Sequence, residues 1–348
     1  MKRFKVVLCA FLLGLVAGSV KAQETRGQIL GRVVDATGGV IVGATVHAVN
    51  IATNVGTTAT TNQSGDYVLP FLNPGTYNVT VEVRGFKKFI QEGISVQVNE
   101  RATLNVTLEV GQTTESVRVV GDAPLVDTSS ASLGQVVDNR RVLELPLKDG
   151  NPIMLSNLSP GVINLSTGGW TRPFDVGSPS SIAINGTRTG SNEFTMDGAP
   201  NIQRTSVAYV PPPGVVEEFK IQTATFDAAS GSTPGAVINV SLKAGTNAVH
   251  GQSYHFLQNP KLNANKFFSN KAGLPKAVIR QNRWGTSASG PVYFPKLYNG
   301  KNKSFWMYGY EGIRDADPRG TLTTAVPTAK QRSGDFSELL AIGSQYQI

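Results

Sequence analysis

The chain has 348 residues, of which 40% are apolar and 16% charged, a composition typical of folded protein rather than of a disordered chain. It is long enough for two or three domains. Its net charge is +8, and its one cysteine, Cys9, excludes a disulfide framework and a cysteine-based metal site. The 37 glycines and 19 prolines separate short segments rich in Val, Thr, Asn and Ser, which favours a mainly β protein.

Residues 1–22 have the pattern of a secretion signal. A basic start (residues 2–5) precedes an apolar run (residues 6–17), and small or modest side chains lead to a predicted cleavage site after Ala22. A membrane anchor is the alternative, but the run is shorter than the roughly 20 residues that a spanning helix needs. No later stretch is longer, so any later membrane crossing must be made by strands. Removal of the signal lowers the net charge to +4.

Residues 27–110 are predicted to form a β-sandwich. Tyr77, Val79, Val81 and Val83 alternate with polar residues, which places one apolar face on a strand. Further strands are predicted at residues 29–34, 44–50, 57–61, 67–71, 94–98 and 103–108, with turns at residues 38–39, 64–66 and 73–75. About seven short strands in this length imply two packed sheets.

Several motifs of this region resemble the carboxypeptidase regulatory-like domain. They are Gly31-Arg-Val-Val-Asp35, Val42-Gly-Ala-Thr-Val46, Thr61-Asn-Gln-Ser-Gly-Asp-Tyr67, Leu72-Asn-Pro-Gly-Thr-Tyr77 and Gly85-Phe86. The resemblance implies a transthyretin-like sandwich that serves as an accessory domain. No peptidase is implied, because the third residue after His47 is Asn50 rather than the glutamate of the carboxypeptidase zinc pattern.

Residues 111–124 are predicted to be a polar linker. Glu115-Ser116-Val117-Arg118-Val119-Val120-Gly121 combines an acidic residue with alternating valines, and taken alone it indicates an ordinary short strand. By its position it resembles a TonB box, an extended segment that a periplasmic energy-coupling protein captures by strand addition. The resemblance makes these seven residues the candidate partner-binding site.

Residues 125–247 resemble the plug domain of TonB-dependent receptors, especially of the Oar-like members that carry an N-terminal regulatory-like domain. The motifs, in chain order, are Leu143-Glu-Leu-Pro-Leu147, Leu158-Ser-Pro-Gly-Val162, Ile182-Ala-Ile-Asn-Gly-Thr-Arg188, Asn192-Glu-Phe-Thr-Met-Asp-Gly198 and Val216-Glu-Glu-Phe-Lys-Ile221. The resemblance implies an α+β domain. Gly235–Asn247 resembles its end.

Residues 248–348 are predicted to begin an outer-membrane β-barrel. Strands are expected at residues 250–257, 282–292 and 304–312, and the aromatic residues of the last suit a membrane interface. An ordinary soluble sheet is the alternative for a single strand. A closed bacterial barrel needs at least about eight strands, so we expect a truncated barrel.

No motif for catalysis or for a cofactor is recognised in the sequence. G-x-S-x-G, P-loop, G-x-G-x-x-G and H-E-x-x-H patterns are absent, so we expect neither an enzyme nor a cofactor. His250 and His255 fall on opposite faces of a strand, which does not favour a shared metal site. Ten Lys or Arg and no acidic residue lie between residues 228 and 310, but their scatter and the export signal argue against nucleic acid as a partner.

Together these features predict an outer-membrane receptor that takes up a ligand by TonB-coupled active transport. Its expected partners are a TonB-type periplasmic protein, outer-membrane lipid and an unidentified extracellular ligand. Two alternatives remain open: an exported adhesin or structural β protein, and a secreted hydrolase with a catalytic domain beyond Ile348. Downstream sequence rich in alternating ten-residue strands would favour the receptor, and repeated sandwich domains would favour the adhesin.

Overall fold

The structure, a computed structural model, describes residues 26–120, 133–145, 147, 150–165, 181–203, 206–224, 234–276, 278–316 and 326–340. The predicted secretion signal lies outside these ranges. The described residues form two compact units, one made of those up to Tyr254 with Gly285–Glu311, and the other of those in His255–Trp284 and from Gly312 onward. No helix among them is long and apolar enough to cross a membrane.

Two β-sheets form the N-terminal part of the first unit, called here the sandwich (residues 26–120). Its strands are β1 (Gly27–Asp35), β2 (Thr45–Asn50), β3 (Gly56–Thr60), β4 (Asp66–Leu72), β5 (Gly75–Glu82), β6 (Lys88–Val96), β7 (Arg101–Thr103), β8 (Val106–Leu108) and β9 (Ser116–Val120). One sheet has the order β4-β1-β7, with β8 also paired to β1, and the other has the order β3-β2-β5-β6-β9. β7 and β8 run parallel to β1, and β9 runs parallel to β6.

The two sheets enclose one apolar core. Ile29, Leu69, Val79 and Val81 are fully buried in it, and Tyr67 donates a hydrogen bond from its hydroxyl to the Leu104 carbonyl at 2.8 Å. Alternate residues of each strand supply this core, as the period-2 pattern of the sequence predicts. Each such aliphatic side chain stabilises the fold by about 1.5–3 kcal/mol.

The structure corrects two of the predicted strands. The segment predicted as one strand at residues 103–108 is interrupted between β7 and β8, where β1 passes so close that a Cβ atom on Gly31 would lie 1.9 Å from the Leu104 carbonyl oxygen. At the break, the Arg32 amide donates to the Asn105 side chain at 3.0 Å instead of to a strand. The strand predicted at 94–98 begins earlier, at Lys88, and continues through a bulge at Gly93, whose φ of 78° favours glycine.

The central domain (residues 133–242) has the strands and helices of an α+β fold. Its elements are β10 (Leu133–Asp138), α1 (Asn139–Glu144), a 3₁₀ helix (Pro152–Leu158), β11 (Val162–Asn164), β12 (Ile182–Ile184), β13 (Glu193–Met196), β14 (Ala199–Pro200), β15 (Ile202–Gln203), β16 (Ser206–Val207), a second 3₁₀ helix (Pro213–Val215), β17 (Val216–Ala224) and β18 (Val237–Leu242). The main sheet has the order β10-β17-β18-β13-β14, and β11-β12 and β15-β16 are small separate pairs.

Apolar residues of the main sheet and of the 3₁₀ helix share a second core. Phe194, Phe219 and Ile221 are its large members, each at most 2% exposed. β13 turns into β14 through Asp197 and Gly198, both with positive φ, which matches the preference of a two-residue hairpin for Asp-Gly. The Asp-Gly of the fourth plug-like motif is therefore explained by local backbone geometry.

Three long strands follow the central domain: β19 (His250–Gln258), β20 (Arg280–Pro291) and β23 (Phe305–Ala316), in the order β19-β20-β23. The other elements of this part are α2 (Phe267–Lys271), a small hairpin of β21 (Tyr293–Phe294) and β22 (Tyr298–Asn299), α3 (Ala329–Arg332) and α4 (Ser337–Leu340). The three strands form an open sheet. Trp306, Tyr308 and Tyr310 form an exposed aromatic row on one face of β23. The prediction of a mainly β chain is confirmed.

Candidate functional site

The segment proposed from the sequence as the partner-binding site folds as strand β9. It pairs in parallel with β6 over five residue pairs, from Lys88 opposite Ser116 to Glu92 opposite Val120. The Lys88 amide also donates to the Glu115 carbonyl at 2.9 Å. The valine alternation thus produces a strand, which joins the sheet of β6 from outside the predicted domain of residues 27–110. Gly121 lies outside the described residues, and the partner-binding role of the segment stays a prediction.

Two ion pairs connect β9 and the residue before it to β6 and the residue before that strand. The Arg118 guanidinium lies 3.3 Å from the Glu92 carboxylate, and the Lys87 ammonium lies 3.8 Å from the Glu115 carboxylate and 3.2 Å from that of Glu109. The Arg118 side chain is 63% exposed. Pairs of this exposure contribute about 0.2–1 kcal/mol each, so the backbone ladder and the half-buried Val117 account for most of the docking.

The residues immediately after β6 join the sandwich to the central domain. The Val98 backbone amide donates a hydrogen bond to the Glu218 carboxylate. The Lys220 ammonium donates to the Asn99 backbone carbonyl at 3.0 Å, and the Asn99 side-chain amide donates to the Gln222 side-chain oxygen at 3.3 Å. Glu218, Lys220 and Gln222 lie on one face of β17, and each is at most 9% exposed. We call these contacts the β17 latch.

Burial perturbs the titration of the carboxyl groups at this contact. It raises the pKa of Glu218 to about 7, and the negative charges of Glu217 and Glu100 raise this pKa further. The hydrogen bond from the Val98 amide and the positive charge of Lys220 lower it. Burial also raises the pKa of Glu217 and lowers that of Lys243, although the mutual attraction of these two groups opposes both shifts. From the sequence alone, the Glu217-Glu218 pair was indistinguishable from the acid pairs of any protein surface. The available signal was a polar residue at every second position of an otherwise apolar strand.

A cleft of about 890 Å³ is lined by residues of the sandwich, of the central domain and of the chain that follows it. Arg26, Phe71 and Tyr77 line it from the sandwich, Glu217 lines it from the central domain, and Lys243 lines it directly after that domain. The Arg26 guanidinium lies over the Phe71 ring, 4.9 Å from its centroid. Charges of both signs line this cleft, so its electrostatics do not favour an ionic ligand of one sign.

The structure also places the histidines considered in the sequence. The His47 ring nitrogen Nδ1 is 2.8 Å from the Thr58 hydroxyl on the neighbouring strand β3, and His250 and His255 are exposed on β19. Within the described ranges, no three His, Cys, Asp or Glu side chains are grouped so that they could hold a metal ion.

Two segments match known protein families. Residues 28–109 match the carboxypeptidase regulatory-like domain, and residues 241–347 match an outer membrane β-barrel domain. The first match covers β1 to β8, and the second covers the open sheet of β19, β20 and β23.

Among individual proteins, the TonB-dependent transporter Oar of Myxococcus xanthus is 26% identical over 207 residues, which is 57% of this chain. The chain spans only 18% of the length of that relative. Among solved structures, the siderophore receptor PirA of Acinetobacter baumannii is 20% identical over 55% of this chain and 26% of its own, with a TM-score of 0.36. PirA of Pseudomonas aeruginosa is 19% identical over 46% of this chain and 24% of its own, with a TM-score of 0.33.

By sequence, the chain is therefore similar over 207 residues to a TonB-dependent transporter, and it matches the carboxypeptidase regulatory-like domain at residues 28–109 and an outer membrane β-barrel domain at residues 241–347.

Proposed function

We propose that this chain is the N-terminal part of an outer-membrane receptor that takes up an extracellular ligand by TonB-coupled active transport. The observation that carries the proposal is the similarity to a TonB-dependent transporter, together with the outer membrane β-barrel match at residues 241–347. The predicted secretion signal is consistent with this location. Since the relative is a transporter and the sequence has no catalytic motif, we propose no enzymatic step.

The parts of the chain are assigned separate roles in this proposal. The sandwich is a transthyretin-like accessory domain, the central domain is the plug that closes the barrel lumen, and β19, β20 and β23 are the first strands of the barrel wall. Closure of the barrel by further strands would satisfy the backbone groups at both edges of this open sheet. Exposed aromatic residues such as Trp306 and Tyr308 suit the membrane interface of such a wall.

Glu115–Gly121 is the coupling segment in this proposal. A periplasmic TonB-type protein binds it by adding a strand, and its pull rearranges the plug so that ligand passes through the lumen. Strand addition uses backbone hydrogen bonds and places loose demands on the side chains. The strand conformation of Ser116–Val120 supports this role, because the backbone is already extended.

Val117→Pro tests the assignment of the coupling segment, with Val117→Thr as its matched control. Proline at position 117 removes the N–H group that the register directs to the Lys88 carbonyl, and it fixes φ near −65°, so it disrupts the extended segment both on β6 and for a partner. Threonine keeps both the N–H group and β-branching. We expect the proline variant of the full-length receptor to bind the periplasmic domain of the organism's TonB-type protein at least about tenfold more weakly, and the threonine variant to bind within about threefold of the parent.

Transport is measured in cells that display equal amounts of each receptor in the outer membrane. Surface binding and energised accumulation of labelled ligand are measured separately. The proline variant should bind ligand at the surface like the parent but fail to accumulate it. If it accumulates ligand at the parental rate, Glu115–Gly121 is not the coupling segment.

A further inference from the structure

Strand β9 is the outermost strand of a five-stranded sheet. Its one described neighbour is β6, and no strand of the described residues pairs with its other side. In a parallel ladder, successive backbone N–H and C=O groups of a strand point alternately to the two sides. Since the Lys88 amide donates to the Glu115 carbonyl, the backbone groups of Val117 and Val119 face β6, and those of alternate residues from Ser116 to Val120 face outward. The outer side of β9 therefore offers a row of donors and acceptors in the geometry that strand addition requires.

The charged side chains that commonly block an exposed strand edge are directed away from this one. Arg118 is paired with Glu92 on β6, and Glu115 is paired with Lys87, which precedes β6. Both pairs extend from β9 towards the interior of the sheet. They hold the strand on β6, and among the described residues no strand pairs with its outer edge.

The sandwich has also ordered β9 before any partner arrives. A free peptide loses backbone freedom at every residue that enters a sheet, and this loss weakens its binding. Here five residue pairs with β6 already fix the extended conformation of Ser116–Val120. Capture of the segment as a free peptide would require the partner to break that ladder and both ion pairs first.

We propose that the periplasmic energy-coupling protein adds its strand to the outer edge of β9 while β9 remains on β6, so that the binding surface is the edge of the sandwich sheet. This inference rests on the proposed function, in particular on Glu115–Gly121 as the coupling segment. It assigns a role to the sandwich: the domain presents the coupling segment to the partner in its bound conformation.

A disulfide between β6 and β9 separates edge addition from capture of a free peptide. Lys88 and Ser116 are opposite each other in the register, and neighbouring strands are about 4.8 Å apart, within the range that a disulfide spans. Residues 23–348 contain no cysteine that would compete. The Lys88→Cys/Ser116→Cys variant of the full-length receptor is purified, and its Kd for the periplasmic domain of the TonB-type protein is measured in the oxidised and in the reduced state.

Because the two states share one sequence, the comparison cancels the effect of replacing the side chains. We expect the oxidised receptor to bind at least as tightly as the reduced one, because the bond holds β9 in the binding geometry. If oxidation weakens binding tenfold or more, the partner needs β9 detached and the inference is wrong.

A charge reversal outside the coupling segment gives a second test that does not depend on a disulfide. Glu92→Lys places a lysine beside Arg118 and favours detachment of β9. We expect binding of the partner to weaken by about twofold to fivefold, and the added change Arg118→Glu to recover most of the loss. Tighter binding by Glu92→Lys alone would mean that β6 competes with the partner, which contradicts edge addition.

The two levels of the proposal fail in different ways. If Val117→Pro leaves partner binding and uptake unchanged, the coupling segment itself is misassigned. If Val117→Pro abolishes both but oxidation of the locked variant also abolishes binding, the coupling segment stands and the sheet edge is not the binding surface.

Discussion

The Glu218 carboxyl group is expected to make the β17 latch depend on pH. Its side chain is 8% exposed, and burial raises its pKa from 4.5 to about 7. Below pH 4.5 the group is protonated whether or not the latch is formed, so its titration does not change the free energy of latch formation. Between pH 4.5 and about 7 the group ionises when the latch is open but stays neutral when it is closed, so the latch weakens as the pH rises.

The magnitude follows from the same two pKa values. Their difference corresponds to about 3–4 kcal/mol, or roughly 300-fold, which is the upper limit for the change in the equilibrium between closed and open latch because a pKa of 4.5 applies to a fully exposed carboxyl group. The weakening should be complete a little above pH 7. Glu218→Gln removes the titrating group and keeps an oxygen that accepts the hydrogen bond from the Val98 amide. In this variant the contact should be nearly independent of pH over the same range.

Hydrogen exchange of the full-length receptor measures this effect between pH 5 and 8. The peptides of interest cover residues 97–100 and 217–222, and protection factors remove the intrinsic pH dependence of exchange. Glu144→Gln is the control, since its side chain on α1 is 64% exposed and is paired with Arg140 rather than with a residue of the latch. The reasoning is refuted if protection in the parent does not change with pH, or if Glu218→Gln shows the same slope as the parent.

Two further predictions concern the sandwich. A fragment of residues 26–120 should be more stable than one of residues 27–110 by about 1–3 kcal/mol in urea unfolding, because only the longer one contains the β6–β9 ladder; equal stability would show that β9 does not dock. Tyr67→Phe should destabilise the longer fragment by about 1–2 kcal/mol, because the buried Leu104 carbonyl loses its hydrogen bond. A loss below about 0.3 kcal/mol would mean that water replaces the hydroxyl group there.

The sequence predicts the sandwich well because its strands have one buried face. Tyr77, Val79 and Val81 alternate with polar residues, and a period-2 pattern of this kind specifies both a strand and the face that enters the core. The breaks were not predictable from it. The interruption at Asn105 depends on how closely β1 passes at Gly31, a contact between residues more than seventy positions apart.

The candidate site was predicted in part. The valines of Glu115–Gly121 predict a strand, but the partner of that strand depends on which edge of the sheet is left unpaired, and local sequence does not contain that information. The β17 latch was missed for a related reason. Glu218 and Lys220 are ordinary surface residues by type, and only the docking of residues 97–100 buries them.

β17 differs from the sandwich strands in being constrained on both faces. Phe219 and Ile221 fill the core of the central domain, while Glu218, Lys220 and Gln222 contact the sandwich. A scan of all substitutions along this strand should therefore show intolerance at consecutive positions rather than at every second one. In a homologue that lacks the N-terminal sandwich, the polar face would lose its contacts, and tolerance at those three positions should return.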